Sequence, residues 1–326
     1  MNGVQEDNKK YLDKINNVLK TQPACVKGYV NYMNKASIKT KFTYMHHIIN
    51  FIEYVDKEVE ELLLDDFSGY ISFIEYKENG DIITPSYRIT IYSALKKFSK
   101  YLYATKRIPE DYMINIERPK FYEKQETIEK RSVGFLTKKE ISQYLKTVQD
   151  NDVNNYRQVG QKWNLRDQTI IQIFLSTGIR CSALRKLDVN SVNIKESTLI
   201  VTDKGDKVKI YNIPENVMET IKEWIKIRKD IIDNDEQALF VSNRKRRMDA
   251  TCIADVVKKY SKDIKNKNIT PHKLRATYGT QLYNETKDVL FVQDCMGHSS
   301  PKTTQLYIRD RKEHLKKASD IMSKLI

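Results

Sequence analysis

Helix-breaking residues are scarce in this chain, and their scarcity limits the folds that it can adopt. Its 326 residues include only ten glycines and seven prolines, so long segments carry no signal that would end a helix. Over 37–57, apolar residues recur at spacings of three and four, which is the pattern of one helix face. Ser37 stands where it would cap that helix. The sequence therefore predicts a mainly helical protein.

Two further helices are predicted in the first third of the chain. Thr84 would cap a helix over 85–104, and Pro85 would occupy its first position. The apolar residues of 62–80 predict another helix, which would end at an Asn-Gly pair.

Composition shifts along the chain indicate domain boundaries. Residues 119–134 are rich in charge and carry little apolar pattern, which is typical of a linker. We expect an N-terminal extension at 1–21, a domain of four or five helices over 22–118, and a second domain over 135–326. In this second domain, helices are predicted over 137–149, 165–176, 215–232, 250–265, 271–285, 287–295, 301–309 and 311–324.

One segment, 197–213, interrupts the helical pattern. It has the pattern of two short strands around a tight turn of sequence Asp-Lys-Gly-Asp. Leu199 and Val201 would share one side of the first strand, and Val208 and Ile210 would share one side of the second. The expected fold class is thus mainly α with a small antiparallel β-sheet.

Several classes of protein are excluded by composition. The chain lacks the run of about 18 apolar residues that a membrane-spanning helix needs, and its first residues lack the apolar core of a signal peptide. The cysteines show no metal-binding spacing, so we expect reduced thiols, no metal and a cytoplasmic location. These cysteines are Cys25, Cys181, Cys252 and Cys295.

Positive charge is concentrated in one part of the chain. Lys and Arg number 57 against 43 Asp and Glu, a formal net charge of +14. Residues 241–275 alone hold eleven Lys or Arg against three Asp. A local basic patch favours a polyanionic partner such as nucleic acid, although a merely solvated loop is the alternative. The candidate DNA-binding residues are Arg244, Lys245, Arg246, Arg247 and Lys258.

Polar residues in four short segments form the chemically most informative pattern. One arginine follows Thr-Gly, and a second stands one helical turn after a histidine. A lysine lies in the hairpin turn, and a tyrosine follows a Gly-His pair by nine residues. Each alone has an ordinary structural explanation. Together they are the candidate catalytic residues Arg180, Lys204, His272, Arg275, His298 and Tyr307.

This set of side chains suits phosphoryl transfer on DNA. Two arginines can hold the oxygens of one phosphate by bidentate hydrogen bonds, and histidines can move protons or hold a phosphate oxygen. A lysine can protonate the leaving alkoxide, and a tyrosine hydroxyl can be the nucleophile. Positive donors stabilise the charge that develops on the phosphate. No carboxylate cluster suited to Mg²⁺ accompanies them, so neither a metal nor another cofactor is expected.

The order of these segments resembles the tyrosine recombinases of the integrase or Xer type, over about 135–315. The resemblance implies a SAM-like helical core-binding domain and a catalytic domain that form a C-shaped clamp on double-stranded DNA. It implies that Tyr307 forms a 3′-phosphotyrosyl link and releases a 5′-hydroxyl, and that a Holliday junction follows. It also implies a tetramer on two sites with short inverted repeats, in which the helix over 311–324 docks on a neighbour.

One departure from the family pattern bears on activity. The family often has Glu or Asp three residues after the first arginine, where this chain has Ala183. The Leu that usually precedes Gly-His is Met296, a swap that conserves volume. We therefore keep two alternatives to an active recombinase, a catalytically silent DNA-binding relative and a type IB topoisomerase.

The biological outcome is left open by the sequence. Integration, excision, inversion and dimer resolution depend on where the two DNA sites lie, and a second recombinase or accessory protein is not excluded. The chain before the helical domain is too short for an additional arm-binding domain, which favours a simple recombinase.

Overall fold

The computed structural model describes residues 3–76, 83–119, 135–150, 158–202, 208–232, 236–261, 264 and 267–297. These residues are mostly helical and include one small antiparallel sheet, which confirms the predicted secondary-structure class. The chain divides into two compact units. The first comprises Gln5–Lys124, and the second comprises Gln125–Ile326 together with Met1–Val4.

The first unit is a helical domain around an aromatic core. At its centre, the rings of Tyr29 and Phe98 lie 5.2 Å apart in an edge-to-face contact, and those of Phe51 and Phe67 lie 4.8 Å apart. All four side chains are fully buried, so they supply much of the apolar area removed from water. Its described helices are α1 (Gly3–Leu19), α2 (Ala24–Tyr32), α3 (Ile38–Val55), α4 (Leu64–Phe73) and α5 (Pro85–Ala104), with 3₁₀ turns at Val59–Glu61 and Tyr112–Ile114.

The N-terminal residues contribute to this core. Helix α1 buries Ile15 and Leu19 against the same cluster of side chains as the other four helices. The segment expected to be an extension at 1–21 therefore supplies a helix to the first unit.

In the first unit, helix starts were predicted better than helix ends. The helix predicted over 37–57 is α3, and the Ser37 side chain accepts from the Thr40 amide at 3.1 Å. Helix α5 begins at Pro85 as predicted, but Thr84 makes no side-chain capping bond. The helix predicted over 62–80 is wrong at both ends.

This shorter helix, α4, has a local physical cause at each end. The Leu63 amide donates to the Asp66 carboxylate at 2.8 Å, which satisfies the N-terminus one residue before the first helical position. Past the C-terminus, the Glu75 carbonyl accepts from the Ile83 amide at 3.0 Å, and its carboxylate pairs with Arg88 at 2.9 Å. Glu75 thus bonds to residues 83 and 88, whereas in a longer helix its carbonyl would accept from the amide four residues later.

The second unit is built around one buried helix, α7. Its Ile170, Ile171, Ile173 and Phe174 side chains are fully buried, and it packs against α6, α9, α10 and α11. The Trp224 indole of α9 is buried and donates to the Leu239 carbonyl at 2.9 Å. The described helices of this unit are α6 (Lys138–Asp150), α7 (Gln158–Thr177), α8 (Cys181–Leu184), α9 (Glu215–Ile231), α10 (Ala250–Lys259), α11 (Pro271–Thr286) and α12 (Val289–Met296), with a 3₁₀ turn at Val189–Ser191.

Two of the predicted helices differ clearly in length from the observed ones. Helix α7 begins seven residues before the predicted 165–176, and α10 ends well before the predicted residue 265. After α10, the Ser261 and Ile264 amides bond as in short turns, so the chain leaves the helix there. The predicted helices over 301–309 and 311–324 lie outside the described residues.

The sheet has three antiparallel strands in the order β1 (Val192–Asn193), β2 (Thr198–Thr202) and β3 (Val208–Asn212). The two longer strands confirm the prediction, and the short β1 was missed. In the β2–β3 register, Leu199 faces Tyr211 and Val201 faces Lys209.

The two sides of this sheet differ in burial. Leu199 and Val201 of β2 are buried, whereas Ile200, Val208 and Ile210 are 43 %, 66 % and 63 % exposed. Val208 and Ile210 therefore share one side of β3, as predicted, but it is the exposed side. The partners of the buried β2 residues are Lys209 and Tyr211, so a lysine points inward.

Within the described ranges, no helix combines the length and the apolar composition that a bilayer crossing requires.

We expect Phe174→Ala to lower the free energy of unfolding of the second unit by about 3–5 kcal/mol, because it empties a fully buried site in α7. Both tryptophans of the chain, Trp163 and Trp224, lie in this unit, so urea unfolding followed by tryptophan fluorescence reports on it. The control is Phe291→Ala, whose ring is 44 % exposed. Equal losses for the two variants would contradict the assigned core.

Candidate active site

The turn that presents Arg180 is built by the threonine and glycine before it. The Thr177 hydroxyl donates to the Ile173 carbonyl at 2.6 Å and accepts from the Ile179 amide at 3.2 Å, which closes the end of α7. Gly178 has φ of +59°, a left-handed conformation that glycine adopts without steric cost. Arg180 then has extended backbone as the N-cap residue of α8, with its side chain partly buried.

Gly178 is also required by close packing against α11. A Cβ atom at this position would lie 2.3 Å from the Cδ1 atom of the Tyr278 ring. The backbone of the turn therefore approaches α11 as closely as its atoms allow. This approach brings the Gly178 carbonyl within reach of Arg275 on the same helix.

Arg275 joins three separate segments of the chain. It is 4 % exposed on α11, a helix that Thr270 caps by accepting from the Lys273 amide at 3.3 Å and that begins with Pro271. One terminal nitrogen, Nη1, donates to the Gly178 carbonyl at 2.5 Å, and the other, Nη2, donates to the Met296 carbonyl at 2.7 Å. The guanidinium thus links the turn before Arg180 to the residues just before His298.

His272 has a different environment from Arg275. The two residues lie one turn apart on α11, as predicted, but His272 is exposed whereas Arg275 is buried. An exposed imidazole at the start of a helix can reach a bound substrate. The buried guanidinium of Arg275, in contrast, joins separate segments of the chain.

Lys209 was not among the predicted site residues, although the alternation of side chains along β3 places it on the same side as the buried Tyr211. Its Nζ donates to the Asp294 carbonyl at 3.2 Å and to the Cys295 carbonyl at 2.5 Å. Together with Arg275, it therefore holds three successive carbonyls at the end of α12. Gly297 follows in a left-handed conformation with φ of +62°.

Three of the six candidate catalytic residues, Lys204, His298 and Tyr307, lie outside the described residues. For the other three, the structure places the turn that carries Arg180 against the helix that carries His272 and Arg275. It also places Gly297, the residue before His298, beside the same helix through the Arg275 bond to Met296.

Two other reactive side chains near this site are held in their neutral forms. Burial, followed by the nearby Cys295 and Tyr211, raises the pKa of Tyr278 to about 12. Burial, followed by Asp249, raises the pKa of Cys181 to about 11. Neither group therefore provides an anionic nucleophile at neutral pH. Within the described part of the chain, no three His, Cys, Asp or Glu side chains are grouped to hold a metal ion.

The basic loop at 242–247 is held tightly at its base. The Ser242 amide donates to the Arg246 carbonyl at 2.8 Å, and the buried Arg166 of α7 donates from Nη1 to the Val241 carbonyl at 2.9 Å and the Asn243 side chain at 3.3 Å. Arg244 and Arg246 are exposed, and Lys245 is partly exposed.

Arg247 differs from its basic neighbours, and the structure argues against its predicted contact with DNA. Its side chain is 7 % exposed, and Nη2 lies 2.6 Å from the Asp188 carboxylate and 3.7 Å from that of Glu236. Nη1 donates to the Arg185 and Leu187 carbonyls at 3.3 and 3.2 Å. This arginine neutralises internal carboxylates and supports the loop. Lys258 on α10 is exposed.

Comparison with known protein families assigns this chain to a class. The model of the phage integrase family matches residues 134–314, more than half of the chain. The chain therefore belongs to the phage integrase family of tyrosine recombinases.

Curated relatives carry names of the Xer group. The chain is 29 % identical to the tyrosine recombinase XerS of Streptococcus uberis over 288 residues, 80 % of each chain. It is 29 % identical to XerA of Pyrococcus horikoshii over 280 residues, 80 % of this chain and 95 % of that protein. With XerC of Psychromonas ingrahamii the identity is 32 % over 158 residues, so the match spans about half of each protein.

Solved structures share the fold. The XerH recombinase bound to a palindromic difH substrate, in a post-cleavage complex, matches with a TM-score of 0.69 and 19 % identity, over 97 % of this chain and 89 % of that one. A lambda integrase dimer bound to a core site matches with a TM-score of 0.58 and 17 % identity, over 93 % and 95 %.

We expect Gly178→Ala to destabilise the second unit and to reduce activity, because a Cβ would clash with Tyr278 and the left-handed conformation costs about 1–2 kcal/mol for other residues. The measurement is the free energy of unfolding by urea. Gly69→Ala in α4 is the matched control, since the nearest atom to its Cβ lies at 4.0 Å and alanine is favoured within a helix by about 0.5–1 kcal/mol. A neutral Gly178→Ala would show that the close packing is not required.

Proposed function

We propose that this chain is a site-specific DNA recombinase that cuts and rejoins strands through a covalent link to Tyr307. The observation that carries the proposal is the Arg275 guanidinium, bonded to both the Gly178 and Met296 carbonyls. This single buried side chain gathers segments that are far apart in sequence at one site. This contact supports a common site for Arg180, His272 and Arg275, the three candidate residues that the structure describes.

Each candidate residue has a role in this reaction. The Tyr307 oxygen attacks the phosphorus of one strand, the bond to the 5′-oxygen breaks, and Lys204 supplies the proton that makes the leaving group a hydroxyl. Arg180 and Arg275 stabilise the charge on the phosphate oxygens. A 5′-hydroxyl of another strand later attacks the phosphotyrosine and releases Tyr307, so no cofactor is consumed.

The two histidines complete the proposed site. His272 is exposed at the start of α11 and takes the proton of the Tyr307 hydroxyl or holds a phosphate oxygen. His298 follows the α12 end that Arg275 and Lys209 hold, and it holds a second oxygen.

Ala183 does not argue for a silent relative. It is 3 % exposed within the core of the second unit, so the chain places a methyl group where the family often has a carboxylate. Arg275 is oriented by bonds to two backbone carbonyls. Because these bonds do not involve the side chain at position 183, we favour an active enzyme over a DNA-binding protein without activity.

The proposed partners are DNA and further copies of the chain. XerH and the lambda integrase dimer were solved on DNA sites, which supports duplex DNA with short inverted repeats as the substrate here. We propose a tetramer on two sites that works in the cytoplasm. We also propose that both domains contact the duplex, namely the helical domain over 22–118 with the added helix α1 and the catalytic domain over 135–326, with residues 119–134 as the linker.

Non-specific affinity is proposed to come from the surface basic residues. Arg244, Lys245, Arg246 and Lys258 lie on the surface of the second unit, with Lys245 partly covered. Such side chains bind phosphates and release counterions, which makes the affinity fall with salt. Arg247 stays out of this set because it is paired internally.

We expect Arg246→Ala to lower DNA affinity and Arg247→Ala to lower stability. Arg246→Ala weakens binding to a random-sequence duplex and lowers the salt slope by about one, with unchanged stability. Arg247→Ala removes the cation that pairs with Asp188 at 2.6 Å and lies 3.7 Å from Glu236, whose carboxylate still accepts from the Ala238 amide. It costs roughly 3 kcal/mol, at the low end for buried pairs because both carboxylates keep some contact with water. Salt titrations of binding and urea unfolding measure the two effects. The same phenotype in both variants would contradict the assignment.

We expect Tyr307→Phe to abolish covalent complexes while leaving DNA affinity within a few-fold, because only a hydroxyl is removed. The measurement is recovery and sequencing of protein-linked fragments after incubation with fragmented DNA from the source organism. Tyr103→Phe, at an exposed tyrosine of the first unit, is the control. Discrete sites with inverted repeats support recombination, scattered links indicate a topoisomerase, and no links above background indicate the silent relative.

A further inference from the structure

The C-terminal end of helix α12 has carbonyl groups that need hydrogen-bond donors from other parts of the chain. The last carbonyls of a helix have no partner within it, and the helix dipole places partial negative charge there. The Asp294, Cys295 and Met296 carbonyls all belong to this last turn, and the Asp294 carbonyl accepts from the Gly297 amide at 3.1 Å. The chain then continues through Gly297 directly into His298.

Two cations from different parts of the fold occupy this helix end. Arg275 donates to the Met296 carbonyl at 2.7 Å from within the site. Lys209 donates to the Asp294 and Cys295 carbonyls at 3.2 and 2.5 Å from the sheet. Arg275 thus holds the last carbonyl of the helix, and Lys209 holds the two before it.

Lys209 is itself oriented by the sheet. It stands opposite the buried Val201 in the β2–β3 ladder, so its side chain points to the covered side. Its ammonium also lies 4.5 Å from the centre of the Tyr211 ring, a cation–π contact. A Cβ on Gly297 would lie only 3.3 Å from this ammonium, so the turn and the lysine are closely packed.

We propose that Lys209 is a positioning residue, which sets the geometry of the turn that carries His298. This inference rests on the proposed function, because it assigns Lys209 to the same reaction without contact with the DNA. The sheet residue holds the last turn of α12, and that turn delivers the histidine to the site. A displacement of about 1 Å in such a group can cost up to about 100-fold in rate.

The experiment compares Lys209→Met, Lys209→Arg and Lys209→Gln. Methionine keeps an apolar stem and removes every donor. Arginine keeps the charge and has donors on three nitrogens, and glutamine keeps one neutral donor nitrogen. Lys226→Met, at an exposed position of α9, removes the same charge from the surface of the same unit and is the matched control.

Three quantities are measured for each full-length variant. They are the single-turnover rate of covalent complex formation on a nicked duplex carrying a captured site, the dissociation constant for that duplex, and amide hydrogen exchange in the peptide over 289–300. We expect Lys209→Met to slow the reaction by about 10- to 100-fold, to change affinity by less than about twofold, and to speed exchange in this peptide alone. Lys209→Arg restores most of the rate, and Lys226→Met changes none of the three quantities.

Two outcomes overturn the proposal. A slower reaction with unchanged exchange makes Lys209 a group that touches the DNA, and faster exchange with an unchanged rate makes it purely structural. If Lys209→Met fails to fold, Lys209→Gln gives the same comparison with one donor retained. If the wild type forms no Tyr307-dependent link, the proposed function fails, and the exchange measurement still decides whether Lys209 holds the turn.

Discussion

The buried guanidinium of Arg275 is the interaction on which the candidate site depends. A charge that is 4 % exposed is costly unless it is well hydrogen-bonded, and here two of its bonds go to backbone carbonyls. Because backbone carbonyls cannot rotate away as side chains do, they fix the plane of the guanidinium. The same bonds fix the Gly178 and Met296 backbone segments to one another. The two carbonyls therefore orient the arginine, and the arginine in turn joins the two segments.

This arrangement explains the unusual backbone around the site. The Gly178 carbonyl reaches Arg275 only if the turn lies directly on the Tyr278 ring, which leaves no room for a side chain. At the other segment, α12 must end abruptly after Met296, and Gly297 in a left-handed conformation allows this. One glycine, Gly178, thus accepts a bond from Arg275, and the other, Gly297, directly follows the second acceptor, Met296. Their neighbours in sequence are Arg180, two residues after the first, and His298, directly after the second.

Much of the fold was predictable because the signals were local. The cap at Ser37, the proline that opens α5 and the strands around the hairpin turn depend on neighbouring residues, and the physical rules for such features act over a few positions. The end of α4 was wrong because it depends on Glu75 bonding to Ile83 and Arg88, across a gap in sequence that periodicity does not detect. The motif that carries Arg180, His272 and Arg275 was visible, but the burial of Arg275 was not.

Two adjacent arginines show that a sequence pattern does not determine which charged side chains are buried. Arg246 and Arg247 are adjacent and chemically identical, yet one is exposed and the other pairs with Asp188 inside the unit. Only the distant acidic partner distinguishes them, and a run of four basic residues gives no sign of it. The same reasoning applies to Lys209, whose inward direction follows from the register with Val201. In the basic loop, burial thus separates the arginine that pairs with internal carboxylates from neighbours that face solvent, and only these neighbours are proposed to exchange counterions for DNA phosphates.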